Sequence, residues 1–143
     1  MQIRELNLTE LETAYSVVCQ SRKNLSYKEF EDLIYEMRHI EYKIFGIFER
    51  GALVNYAGVS ISTSLAYKRH LIIYDMVTDL KFKKQGYVQM MYEYLKDYAK
   101  TCMCENLILM EDFQEKDTDM FHEKNYFEKK SNFYIKKIER FMR

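Results

Sequence analysis

Proline and tryptophan are absent from this chain, and neither sign of charge is in surplus: Lys plus Arg and Asp plus Glu both number 22. A balanced charge removes the general electrostatic pull toward a polyanion, so neither nucleic acid nor membrane is an expected partner. No apolar run is long enough to span a bilayer, and the polar N-terminus does not read as a signal peptide. Cysteines are few. With three, one stays unpaired if the other two bridge, which fits a reducing cytosol and a cytoplasmic location. Cys102 and Cys104 are too few to close a zinc site, and His39, His70 and His122 show no ligand spacing, so no metal is expected. No linker, repeat or low-complexity tract divides the chain, which reads as one domain over residues 1–143.

What is present suits a packed core. Apolar residues make up 48% of the 143 and charged residues 31%, the balance of a globular chain. Lys, Tyr and Phe are abundant, a bias that need not mean function. Residues 2–6 (QIREL) alternate polar and apolar and read as a first strand. Thr9 and Glu12 form a Ser/Thr-x-x-Glu capping box that opens a helix with Leu11, Ala14, Tyr15 and Val18 on its buried stripe. Ser26 and Glu29 form a second box, with Leu25 set to staple onto Phe30 and a stripe of Phe30, Leu33, Ile34 and Met37. Residues 42–49 and 52–63 are strand-like, joined by an Arg50-Gly51 hairpin turn. Gly58 inside the second run signals a bulge or a close backbone approach. Ser60, Ser62 and Ser64 share a face that reads as half-solvated sheet. Lys68-Arg69-His70 reads as the next turn. Residues 105–111 form a short strand, 114–124 a short helix, and 127–138 a final strand or hairpin.

The centre of the chain is residues 74–100. A strand rich in Ile, Val and aromatics runs into the basic, glycine-containing KFKKQG, and from Gly86 apolar residues recur at helical spacing. A helix N-terminus presents unpaired N–H groups and partial positive charge. Behind a glycine those groups can hold a phosphate, with Lys81, Lys83 and Lys84 beside them; the plainer alternative is a strand-to-helix turn with a solvated basic face. Residues 83–88 (KKQGYV), after the strand Tyr74-Asp75-Met76-Val77-Thr78, resemble motif A of the GNAT superfamily of N-acetyltransferases. That pattern is Arg/Gln-x-x-Gly-x-Gly/Ala. Residues 120–127 (MFHEKNYF) are similar to the family's x-F-Y-E-K-x-G-F block. Lys83 stands for the first Arg/Gln, Val88 for the second Gly, Glu115 for the usual Asn, His122 for the usual Tyr and Tyr126 for the last Gly. The resemblance covers residues 1–138.

It implies an α+β fold: a mixed, mostly antiparallel sheet flanked by helices, with a parallel crossover from strand four through the central helix to strand five. It implies an acetyl-CoA-dependent N-acetyltransferase acting on a primary amine of a small molecule, peptide or protein by direct attack in a ternary complex. The backbone of Lys84, Gln85, Gly86, Tyr87, Val88 and Gln89, with Lys83, would take the pyrophosphate. Met76, Val77 and Thr78 would offer an open strand edge to the pantetheine, where strands four and five splay apart. Phe121 and Lys124 complete the cofactor set. The two N-terminal helices would form one wall of the acceptor cleft.

Acetyl transfer also needs a proton acceptor and a group to meet the departing sulfur. Asp75, Glu111 and Asp112 are the candidate acceptors. Asp75 reads equally as a structural hydrogen-bond acceptor and Glu111 as a solvated strand end. His122 is the candidate thiolate-protonating or thiolate-stabilising group, with Tyr126 and Tyr134 as alternatives, or else a surface histidine. The departures from the motifs leave a second reading, a catalytically inactive acyl-CoA-binding or regulatory domain, and a third, a protein-interaction module. A homodimer through residues 127–143 is an open expectation.

Overall fold

A computed structural model describes residues 1–110, 121, 124, 125, 127–130 and 133–139. Strand β1 (Gln2–Leu6) leads to helices α1 (Leu11–Val18) and α2 (Tyr27–Glu36). Strands β2 (Lys43–Glu49), β3 (Ala52–Ser64) and β4 (Lys68–Thr78) follow, then helix α3 (Tyr87–Thr101) and strand β5 (Asn106–Leu109). The five strands lie in the order β1-β2-β3-β4-β5. All neighbours are antiparallel except β4 and β5, which run parallel across the α3 crossover. Fold class and crossover are those the sequence implies.

Each sheet face carries its own core. Leu11, Ala14, Val17 and Val18 of α1 and Phe30 and Ile34 of α2 pack on Ile44, Leu53, Tyr56 and Val77. On the other face Tyr87, Met91, Leu95 and Ala99 of α3 pack on Phe45, Ile47, Val59, Leu71 and Ile73. These α3 residues recur at four-residue intervals, so one helical stripe supplies that layer.

Several local expectations shift. The cap of the first helical segment is Asn7, not Thr9: the Asn7 side chain accepts from Thr9 N–H, and Glu10, not Glu12, reaches back to Asn7 N–H. Ser26 does cap α2, accepting from Glu29 N–H. Lys68-Arg69-His70 is strand, the first residues of β4, because the chain already turns at Leu65–Tyr67, where the Ser64 hydroxyl accepts from Tyr67 N–H. The described residues of 127–138 form neither strand nor hairpin. Phe133, Tyr134, Ile135 and Ile138 are largely exposed there, and an extended segment without a paired neighbour has no ladder to make it a strand. The hairpin at Arg50-Gly51 forms with both residues at positive φ, 51° and 81°, the two-residue turn whose twist suits antiparallel strands.

Candidate active site

The site begins where the sheet stops being continuous. β4 pairs with β5 only from His70 to Ile73, and Met110 N–H to the Ile73 carbonyl, 3.1 Å, is the last rung. Beyond it, Tyr74–Thr78 keep β3 on one side and have no β5 partner among the described residues. At the same point the β3–β4 register slips: Gly58 faces Asp75 and Val59 faces Ile73, which leaves Tyr74 as the extra residue of a bulge. Met76, Val77 and Thr78 are buried, Met76 toward α3 and Val77 toward α1 and α2. Their side chains are spent on the core, so what this stretch offers a ligand is backbone.

β4 runs into a basic loop. Asp79 N–H donates to the Val54 carbonyl, 2.8 Å, and the Asp79 carboxylate caps the turn at Lys81 N–H, 2.9 Å. Lys84 (φ 63°) and Gly86 (φ 85°) are both left-handed, and α3 starts at Tyr87 with no side-chain cap on its N–H groups and no acidic residue in its first turn. Left-handed turns ahead of a helix start can gather backbone N–H groups into a concave anion site. Among the described residues, and apart from the adjoining chain, nothing comes within 4 Å of where a Gly86 Cβ would stand. Lys81, Lys83, Lys84 and Gln85 are exposed. Val88, which replaces a small residue of the motif, packs its branched side chain toward the α3 core.

The first turn of α3 is pinned from two sides. Tyr87 donates its hydroxyl to Glu49 of β2, 2.8 Å, which lowers the Glu49 carboxyl and raises the Tyr87 phenol from their ordinary values. Gln89 and Asn125 exchange side-chain amide hydrogen bonds of 3.0 and 2.9 Å. Asn125 also donates backbone and side-chain N–H to the Phe121 carbonyl. Phe121 is buried between Tyr92 and Phe127, ring centroids 5.4 and 5.8 Å away, while Lys124 is exposed. Phe121 of the second block thus packs against α3, the helix that follows the first block.

Asp75 lies on the opposite face of β4, in a cluster the sequence did not reveal. Arg22, just past α1, donates Nε and Nη2 to Asp75 Oδ1 at 3.1 and 2.6 Å. Tyr42 donates its hydroxyl to Asp75 Oδ2, 2.7 Å, and meets the Tyr56 hydroxyl at 3.0 Å. Burial, with the Asp75 charge adding to it, raises both phenols well above their ordinary range, so both stay protonated and the cluster holds one charge pair. A Cβ on Gly58 would stand 1.6 Å from the Tyr42 oxygen, so the glycine is the slot into which this ring fits. The Gly58 signal in the sequence thus marks both a bulge and a close approach. Arg22, Tyr42 and Gln20, which accepts from Leu80 N–H at 2.9 Å, were not singled out from sequence. Gly58 was the one signal that could have led to Tyr42.

Glu111, Asp112, His122 and Tyr126 lie outside the described residues. Tyr134 is almost fully exposed.

Comparison with known proteins agrees with this geometry. The acetyltransferase (GNAT) family matches residues 5–129, and the chain belongs to that family. It is similar in fold to a ribosomal-protein-alanine N-acetyltransferase from Brucella melitensis biovar Abortus 2308: TM-score 0.80, 14% identity, 96% of this chain and 100% of that one. A glucosamine-6-phosphate N-acetyltransferase from Arabidopsis thaliana gives TM-score 0.71 at 21% identity over 96% and 98% of the two chains. An aminoglycoside N-acetyltransferase in complex with CoA gives TM-score 0.77 at 16% identity over 96% and 95%. No curated protein matches the chain in sequence.

Proposed function

We propose that this chain is a cytoplasmic acetyl-CoA-dependent N-acetyltransferase, one domain over residues 1–143, that acetylates a primary amine by direct attack in a ternary complex. The observation that carries the reading is the continuity of the open β4 edge, Tyr74–Thr78, with the left-handed loop and uncapped start of α3. An open edge followed by an anion site fits a ligand that is amide-rich at one end and a pyrophosphate at the other, which is the make-up of CoA. When bound, acetyl-CoA supplies the acetyl group as a thioester. The backbone of Met76, Val77 and Thr78 holds the pantetheine amides, and the N–H groups of Lys84–Gln89, with Lys83, hold the pyrophosphate. Two of the similar structures are by name a glucosamine-6-phosphate N-acetyltransferase and an aminoglycoside N-acetyltransferase, and a primary amine is the acceptor class proposed here.

Glu111 and Asp75 are the proposed proton acceptors and His122 the proposed donor to the departing sulfur. Asp75 carries a burden for that role: its carboxylate is already engaged by Arg22 at Oδ1 and by Tyr42 at Oδ2. His122→Ala is expected to lower turnover by about 10²-fold with CoA affinity nearly unchanged. The reading as a whole is tested by thermal unfolding with CoA and by thiol release from acetyl-CoA over a panel of amines. A concentration-dependent rise in Tm with thiol release on at least one amine supports it. No shift at millimolar CoA overturns it, and a shift without turnover on any amine leaves a binding domain.

A further inference from the structure

Asn55 lies wholly buried in β3, the middle strand of the sheet, with Ile47 of β2 and Thr78 of β4 facing it across the two ladders. Tyr56 and Val77 belong to the core under α1 and α2, so by alternation Asn55 and Thr78 point to the α3 side. Ile47 and Val54 are wholly buried in that layer. The Asn55 amide nitrogen donates to the Thr78 hydroxyl oxygen, 2.9 Å, in a buried contact. That bond leaves two needs. Asn55 Oδ1, shut from solvent, has no donor among the described residues, and it is the one buried side-chain polar atom there in that condition. The Thr78 hydroxyl, having accepted from Asn55, still has a proton to give, and no acceptor for it is found among the described residues. Reversing the amide does not help. Thr78 would then donate to the oxygen, and both N–H groups of the nitrogen would be left without acceptors.

We propose that Asn55 and Thr78 bind one internal water molecule, closing a ring in which the amide donates to the hydroxyl, the hydroxyl to the water and the water to Oδ1. A single water meets both needs at once, because it accepts and donates from the same atom. Neither side chain carries charge, so an ion gains nothing at this place. Left dry, the buried oxygen would suffer its full desolvation, which folded proteins avoid by enclosing water. The register of β3 against β2 slips just here: Ile47 faces Asn55 and Phe48 faces Leu53, so the ladder is locally disrupted beside the site. The ring ties the last residue of β4 to β3 through side chains, next to the rung from Asp79 N–H to the Val54 carbonyl, 2.8 Å. The inference goes beyond the acyl-CoA reading and stands without it.

The experiment compares the full chain with Asn55→Leu, Thr78→Val and the two changes together, by crystallography and urea unfolding. In the wild-type crystal an enclosed water is expected about 2.5–3.0 Å from Asn55 Oδ1. In urea, each single change leaves half of the ring unpaired and should lower the midpoint. The double change removes both polar groups and should recover most of that loss. Leucine is the larger side chain and takes the room of the amide with its water. In a dry site the same leucine overpacks, and the double variant then falls at least as far as the two single losses added. A third readout needs no variant to fold: in wild-type NMR spectra the Asn55 side-chain amide protons should show a cross-relaxation peak to a long-lived water. An Oδ1 that is dry, or that accepts from a protein donor, overturns the proposal. So does an additive loss in the double variant, or the absence of the water peak.

Discussion

The two halves of β4 share a strand and differ in everything else. From His70 to Ile73 it has neighbours on both sides, and Leu71 and Ile73 are fully buried under α3. From Tyr74 to Thr78 it has β3 alone among the described residues, begins with a bulge, and carries a charged side chain inward. The first half is core because both its edges are satisfied and one face is apolar. The second is the proposed binding slot because one edge, among the described residues, is not. The price of that open edge is a carboxylate and two phenols brought in beside it, each of which must be matched. The difference shows where the strand puts its buried charge pair: at Asp75, just past the step where pairing with β5 ends.

The largest break in that comparison comes from Gly58→Ala. Its Cβ would meet Tyr42 at 1.6 and 2.3 Å, a rigid ring tied through its hydroxyl to Asp75 and Tyr56. The ring must leave, and the Asp75 oxygen loses its donor. Overpacking and an orphaned acceptor together should cost about 3 kcal/mol in urea unfolding. Gly46→Ala gives the contrast. Its Cβ would meet the ends of Leu53 and Leu6 at 2.4 and 2.8 Å, side chains with rotamers to spare, and the loss should be clearly smaller.

Tyr42→Phe removes one oxygen and leaves the slot filled, so a loss of about 2 kcal/mol is expected, the scale of a hydrogen bond to a charged group. Its pH dependence sharpens the point. In the unfolded chain a phenol titrates near pH 10, and in the folded protein burial first, then Tyr56 and the Asp75 charge, raises Tyr42 well above that. The folded state thus keeps a proton that the unfolded state gives up. The contribution is complete below pH ~10 and is lost as pH rises from there through the folded value. Wild-type urea midpoints should fall on this alkaline limb, and those of Tyr42→Phe should fall less. Equal limbs would remove Tyr42 from the account.

How much of this could be read in advance follows from the same contrast. The packed half was legible, since Leu71, Ile73 and the α3 stripe announce themselves by period and type. The loop and helix start were legible because glycine, lysine and helical spacing are local signals, and Gly86 does take positive φ. The clamp was not. Arg22 meets Asp75 across 53 positions and Tyr42 meets it across 33, and no local pattern encodes such pairs. Asp75 was singled out for its place in a motif, which says nothing of what holds it. The cap at Asn7 instead of Thr9 is a two-residue slip in a stretch where both residue types can cap. The end of the chain read as strand because Phe, Tyr and Ile suit strands, but propensity supplies no partner edge.

Gly86 gives a smaller effect that divides backbone strain from contact. Nothing among the described residues blocks a side chain there, but φ is 85°. Gly86→Val should cost about 1–2 kcal/mol from the left-handed conformation alone and weaken CoA by putting a branched group in the open space. Gly86→Asn adopts left-handed backbone more readily, so it should keep stability and lose only part of the CoA affinity. Thermal unfolding and CoA titration of the pair check both halves, and equal CoA affinity for all three proteins would take the loop out of the cofactor site.

The smallest expected effect lies at Tyr87→Phe, which frees the helix start from β2. The Tyr87 hydroxyl, with the Met1 amine 3.4 Å from the other carboxylate oxygen, holds Glu49 below its ordinary value. A carboxyl lowered in the folded state contributes stability that is full above the unfolded value of about 4.3 and is lost as pH falls through the folded one. The wild-type advantage over Tyr87→Phe should therefore be constant from pH ~5 to about pH 10, the phenol's unfolded value, and shrink in more acid solution and in more alkaline solution. Glu49 is solvent-accessible, so salt and water screen the pair and the change in midpoint will be slight. A direct readout is the Glu49 carboxyl itself, followed by NMR titration: its pKa should move up toward the ordinary value in Tyr87→Phe. CoA affinity separates the possibilities. If the tie to Glu49 sets where the α3 N–H groups point, Tyr87→Phe weakens CoA while Gln89→Leu, which cuts the tie to Asn125, weakens it independently. If both variants bind CoA as the wild type does, the core packing of Val88 and Met91 alone places the start of α3, and the slot half of β4 owes its geometry to the strand and not to the helix that follows.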